Sequence, residues 1–162
     1  MELYFKEKLS FSGKVEITDA EENVIYSGKK AFFTGNLTLR DKDGKKIITI
    51  IEKGGLFGRN FVIKKGFKKI AKMKQKISII NQKFRVKKLD WDIKGDFVAK
   101  EYKILKGETP IAEIKRKKLI SLLEAYAIEI HSEEDAPVVL AVALVLNQIL
   151  KDRKKELVNN LT

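Results

Sequence analysis

Along most of the chain, apolar and polar residues alternate in short runs rich in β-branched and aromatic side chains, as in Ala71-Lys-Met73, Phe84-Arg-Val86 and Tyr126-Ala-Ile-Glu-Ile130. A period of two sends successive side chains to opposite faces of a strand. Four segments repeat one pattern. Ile17 is followed by Val24 and Lys30, Leu39 by Ile47 and Lys53, Ile63 by Ile70 and Lys76, and Ile104 by Ile111 and Lys117. The first two apolar positions stand 7, 8, 7 and 7 residues apart, and the lysine follows 6 residues later each time. Turn formers lie between them: Asp19 to Asn23, Asp41-Lys-Asp-Gly44, Lys65-Gly66 and Lys106 to Pro110. Each unit reads as a strand, a tight turn and a return strand. Counting arms and the pieces between them predicts about a dozen short antiparallel strands before residue 131, with no helical segment separating them. An open sheet of that width curls, and closure removes its edges.

The pattern changes after residue 131. Asp135 and Pro137 suit a helix start, and Glu133 and Glu134 favour the positive helix N-terminus. Val138 to Leu146 is an unbroken run of nine apolar residues, so a helix here is apolar on every face and must be surrounded. A membrane-spanning helix needs about 20 such residues. A barrel of about twelve strands has room for a helix about 10–12 Å across. The expected fold is therefore mainly β: a closed antiparallel barrel of about twelve strands enclosing a hydrophobic C-terminal α-helix. One domain spans residues 1–162, with strands over about 2–131, the central helix over about 136–153 and a polar tail over 154–162.

The 162 residues, 44 % apolar and 35 % charged, suffice for one core without disulfide or metal. With no cysteine and one histidine, cysteine nucleophiles, zinc ribbons and HExxH sites drop out. The start, Met1-Glu-Leu-Tyr-Phe-Lys, reads as a strand and not as a targeting segment. A cytoplasmic protein, with peripheral association at a membrane as a further reading, is the expected setting.

Charge changes the picture more. The chain carries a net charge of +12. From Lys53 to Leu89 there are 13 basic residues and no acidic one, leaving 21 basic against 22 acidic elsewhere. A field of one sign attracts polyanions. Lys72, Lys74 and Lys76 alternate with Ala71, Met73 and Gln75, so these lysines should line one outer face. The candidate anion- or lipid-binding residues are Arg59, Lys64, Lys65, Lys68, Lys69, Lys72, Lys74, Lys76, Lys83, Arg85, Lys87 and Lys88. The plainest reading is solubility and protection of strand edges. The partner reading is an anionic membrane surface or another polyanion. Nucleic acid is less favoured, since its readers add stacking aromatics or a recognition helix.

Other candidates read as structure. His131 has no nucleophile partner nearby. Asp41, Asp43, Gly44 and Glu52 resemble a calcium loop only faintly, because Lys45 and Lys46 occupy the positions where an oxygen ligand and a glycine belong. Gly54-Gly-Leu-Phe-Gly58-Arg59 lacks the Walker lysine–hydroxyl pair, which leaves a plain connection or part of an anion site. Asp90, Asp92 and Asp96 read as a salt-bridged face, with paired catalytic carboxylates as the alternative. No catalytic residue, metal or cofactor is expected.

Several stretches resemble the LURP-one-related proteins, which share a tubby C-terminal-like fold with phospholipid scramblases. These are Trp91-Asp-Ile-Lys-Gly95-Asp-Phe97 followed by Tyr102-Lys-Ile104, then Ile111-Ala-Glu-Ile114 with Lys117, then Tyr126-Ala-Ile-Glu-Ile130 with an acidic loop and an apolar helix. The resemblance implies a twelve-stranded barrel around a central helix. Tubby domains bind phosphoinositides through basic side chains, which implies an anionic phospholipid as ligand. Glu129, Glu133, Glu134 and Asp135 do not reproduce the acidic calcium segment of scramblases, and no cysteine is present for palmitoylation. A non-enzymatic barrel with a lipid-binding basic face leads. The alternatives are a nucleic-acid or protein interaction module, and a scramblase-like protein or small-ligand carrier.

Overall fold

The computed structural model describes residues 1–6, 14–31, 33–54, 59–75, 84–96, 99, 101–118 and 124–160. Twelve strands follow in order: β1 Glu2–Lys6, β2 Lys14–Thr18, β3 Val24–Lys30, β4 Leu37–Asp41, β5 Lys46–Lys53, β6 Asn60–Lys65, β7 Lys68–Gln75, β8 Phe84–Lys87, β9 Trp91–Asp96, β10 Glu101–Lys106, β11 Thr109–Lys118 and β12 Glu124–Ile130. Each pairs antiparallel with its sequence neighbours, and β1 pairs with β12 to close the barrel. The Met1 ammonium donates to the Ile130 carbonyl at 2.9 Å, and the Ile130 amide donates back to Met1 at 2.7 Å, extending that seam.

The fourfold repeat corresponds to one structural device. In β2–β3, β4–β5, β6–β7 and β10–β11 the register slips immediately after Ile17, Leu39, Ile63 and Ile104. The residue left unpaired is Ile25, Ile47, Ile70 or Ile111, each half-buried against the core. Such a bulge bends the strand and increases its twist, which is what a sheet needs to roll shut. In the first repeat the bulge falls on Ile25, one residue past the Val24 that the spacing marks.

A short 3₁₀ turn, Glu133–Asp135, leads into helix α1, Ala136–Asn159. Val139 through Leu146 are all buried, together with Ile149, so this stretch is enclosed on every side as its composition requires. Inward residues of the strands, among them Leu39, Ile50, Phe61, Ile63, Met73 and Ile104, complete one core with it. The helix continues six residues past the expected end at 153. No proline or glycine stops it there, and Lys154-Lys-Glu-Leu-Val158 supports helix wherever chain context allows.

The stretches that carry the family resemblance turn out to be core. Trp91, Ile93, Tyr102 and Ile104 are buried. Gly95 has φ +143°, and a Cβ there would collide with the backbone oxygen of Glu101 and with Tyr102. Only glycine lets β9 and β10 approach at this point.

The two ends of the barrel differ. At one end the connections are short, and those after β6 and β10 have only two residues each, Gly66–Phe67 and Gly107–Glu108. α1 enters at this end. At the other end the connections are longer, and α1 finishes there.

Candidate anionic-surface interface

Strand parity sorts the predicted basic residues. On β6, Phe61 and Ile63 point inward; on β7, Ala71 and Met73; on β8, Phe84 and Val86. The residues between them face outward. Lys72 stands opposite Lys87, and Lys74 opposite Arg85. Lys64 stands opposite Lys69 on this face; Lys65 and Lys68, the next pair toward the turn, fall on the other parity, in phase with Phe61 and Ile63 at the barrel's end. Four cation–cation register pairs thus lie on three consecutive strands. Like charges placed directly across a sheet repel and destabilise it.

The electrostatics reflect this crowding. The Lys72 ammonium is pushed below the ordinary lysine range, chiefly by Lys74, then by partial desolvation and by Lys69, Lys87 and Lys53. Among the described residues, Lys64, Lys69, Lys72, Lys74 and Lys87 have no carboxylate partner. Val62 also faces outward, between Ile51 and Lys72 across the strands, yet is only 6 % exposed. Lysine stems characteristically cover such a residue while their charged ends reach water.

The remaining predicted residues have other places. Arg85 lies on the outer face but is held by Asp90 at 3.2 Å and Asp92 at 3.9 Å. Lys88, in the β8–β9 turn, donates to the Lys69 carbonyl at 3.1 Å and ties that turn to the next hairpin. Lys76 and Lys83 lie outside the described residues.

Arg59 does not join the outer face. It is in phase with Phe61 and Ile63 on the inner side, at the end where α1 finishes. Its guanidinium donates to Glu52 of β5 at 2.5 and 2.9 Å and reaches Asp152 of α1 at 2.9 Å. Gln148 donates to the same Asp152 carboxylate at 2.7 Å, and the guanidinium stacks 5.3 Å from the Phe61 ring. Arg59 is a half-buried clasp between wall and helix, apart from the outer-face lysines. Residues 55–58 of its glycine-rich connection lie outside the described residues.

Two further contributors belong here: Lys53, counted in the basic stretch but left off the candidate residues, and Phe67, which the sequence reading passed over. Lys53 adds to the field at Lys72; its signal was its place as the trailing lysine of a repeat. Phe67 is fully exposed at the tip of the β6–β7 hairpin; its signal was an aromatic residue sitting in a two-residue turn.

The other candidates are accounted for structurally. The His131 amide donates to the Ile111 carbonyl at 3.0 Å. Asp41 Oδ1 accepts the amides of Asp43 and Lys45 at 3.1 and 2.9 Å, which fixes a hairpin turn. Asp90 and Asp92 hold Arg85, and Asp96 accepts the Ala99 amide at 2.9 Å. Inside the barrel, a cavity between α1 and the inner side of β1 and β10–β12, bordered by Tyr102, Tyr126 and Asn147, measures about 20 Å³, room for about one water. Among the described residues, no helix is long and apolar enough to cross a membrane.

Comparison with known proteins bears on family and fold. A family profile described as LURP-one-related matches residues 1–147. The Bacillus subtilis protein YxjI, itself described as uncharacterised, is 28 % identical over 159 residues, covering 96 % of this chain and 98 % of its own. An X-ray structure of a protein from Arabidopsis thaliana superposes with a TM-score of 0.65 at 15 % identity, covering 91 % of each chain. At that identity the likeness speaks to the fold.

Proposed function

This chain belongs to the LURP-one-related family, and for it we propose a non-enzymatic role in binding an anionic phospholipid surface through the outer face of β6–β8, at the cytoplasmic side of a membrane. The observation that carries this reading is the set of facing cations on the outer face, Lys64 with Lys69 and Lys72 with Lys87. Solubility asks only for charge. It does not ask for like charges in direct opposition, an arrangement that costs the fold stability. A dense negative surface relieves that repulsion, at roughly 1 kcal/mol per basic residue held near it. The broad outer wall of a filled barrel suits an extended surface better than a small ligand.

Sedimentation with vesicles tests the reading. Vesicles containing phosphatidylserine should pull the protein down at low salt, neutral phosphatidylcholine vesicles should not, and binding should fall steeply as salt rises. Equal binding to both, or none to either, refutes the proposal. If a phosphoinositide is the preferred lipid, adding it at constant total charge should raise binding further.

A further inference from the structure

We infer that Phe67 is a membrane-inserting wedge, and that the protein docks with the β6–β7 turn leading and the β6–β8 wall against the bilayer. This rests on the lipid-surface reading and adds to it a depth and an orientation. The two two-residue turns at this end supply the first observation. Gly66 and Gly107 both lie in the left-handed region, at φ +58° and +61°, and in both turns the second residue does not. That is the pattern of a type II′ hairpin, and in both turns the second residue is exposed. The β10–β11 turn fills that position with Glu108, an ordinary choice for water. The β6–β7 turn fills it with Phe67, which leaves a whole aromatic ring in water.

A singly exposed apolar residue is common on protein surfaces and signifies little alone. Phe67 differs in its surroundings. The local sequence is Lys64-Lys-Gly-Phe-Lys-Lys69, and the cross-strand pairs Lys65–Lys68 and Lys64–Lys69 lie immediately behind the ring. An aromatic tip at the turn, with one lysine pair on each face of the ribbon behind it, matches the layering of an anionic interface, where apolar side chains enter the headgroup boundary and lysines remain at the phosphates.

Acid on the same end favours a tilt. The carboxylates beside the tip are engaged locally, Asp43 with Lys42 at 3.0 Å, Asp90 with Arg85 at 3.2 Å and Asp41 with the Asp43 and Lys45 amides, while the far side carries a denser cluster. Glu133, Glu134 and Asp135 follow β12, six strands from β6 in a ring of twelve and hence across the barrel from it. Asp19, Glu21 and Glu22 occupy the β2–β3 turn. Standing upright on this end would press those carboxylates onto the anionic surface. Leaning toward β6–β8 lifts them away while Phe67 and the lysine wall make contact. Nucleic acid fits less well, because single-strand binders present a series of stacking rings and this face presents one.

The test uses Phe67→Trp and Phe67→Ser in the full chain. Phe67 has no packing role to lose, and the wild-type chain, whose one tryptophan, Trp91, is buried, serves as the blank. Phosphatidylserine-containing vesicles should shift the emission of Phe67→Trp to the blue, and lipids brominated near the top of the acyl chain should quench it. Phe67→Ser should lower partitioning about tenfold, from the lost burial of one ring. Sedimentation of the Phe67→Trp protein without a blue shift overturns insertion and leaves the surface reading intact. A failure to sediment overturns both. A fluorescence response to single-stranded DNA but not to vesicles would reassign the tip to base stacking and overturn the inference.

Discussion

The outer face of β6–β8 and the outer face of β10–β12 with β1 are both rich in lysine, yet they use it in opposite ways. On the second face, Glu113, Glu129 and Glu2 form one cross-strand row. Lysines gather around it: Lys103 and Lys115 hold Glu113 at 2.8 and 2.7 Å, and Lys117 holds Glu2 at 2.7 Å. Where lysine meets lysine near this face, as Lys94 does Lys103, Glu113 is at hand. On the first face, lysine meets lysine across three strands with no carboxylate between them. The β10–β12 wall thus keeps its lysines balanced by carboxylates, and the β6–β8 wall does not. The unbalanced side forgoes stability, which is the physical reason to look for a partner there.

Six variants, grouped by the size of their effect, would break or sharpen this contrast. The largest concerns binding. Lys72→Gln with Lys74→Gln should reduce partitioning to phosphatidylserine vesicles roughly 30-fold, from about 1 kcal/mol per lysine. Lys103→Gln with Lys115→Gln removes the same charge from the other face and should leave partitioning near wild type. Next, Arg59→Gln should lower unfolding stability by about 1–2 kcal/mol in urea, because it strands Glu52 and Asp152 at the mouth of the barrel. It should leave vesicle binding unchanged, which separates the clasp from the outer face.

A smaller effect concerns stability on the two faces. Lys87→Glu gives Lys72 an opposite charge across the strand and should raise stability by about 0.5 kcal/mol, whereas Glu113→Lys should lower it by a similar amount or more. The smallest effect appears in acid. Hydrogen bonds from Lys103 and then Lys115 draw the Glu113 carboxyl down to about 2. A carboxylate depressed in the folded state stabilises above its unfolded pKa of about 4.3, and that contribution fades as pH falls toward 2. Glu113→Gln should therefore flatten the loss of stability between about pH 4 and 2 relative to wild type, followed by urea midpoints, with little change in the slope at higher pH.

Much of the fold was legible because each level of the sequence agrees with the next. The apolar stretch Val138 to Leu146 required enclosure, and alternating strands in sufficient number supplied the enclosing wall. The repeated spacing after Ile17, Leu39, Ile63 and Ile104 registered the bulges without revealing what they were, since a spacing cannot show which residue is left unpaired. That is why Val24 stood in for Ile25. The end of α1 was missed because a polar helix leaving a barrel needs no apolar stripe to mark it.

The site was legible in part. Alternation with Ala71 and Met73 placed Lys72 and Lys74 outside, and register then brought Lys87 opposite. Arg59 was grouped with the outer lysines because the glycine-rich stretch before it has no alternation to set its phase, and the partner that draws it inward, Asp152, lies 93 residues away in the chain. Phe67 escaped notice because the turn was placed at Lys65-Gly66, one residue early, which left the aromatic at the start of the return strand.

The most direct test of the central claim is to map which wall meets the bilayer. Nanodiscs containing phosphatidylserine and a small fraction of paramagnetic headgroup lipid should broaden amide signals of residues 62–74 and 85–88, most strongly around Phe67, and spare residues 102–117 and 126–130. Broadening centred on β10–β12, or spread evenly around the barrel, would contradict it.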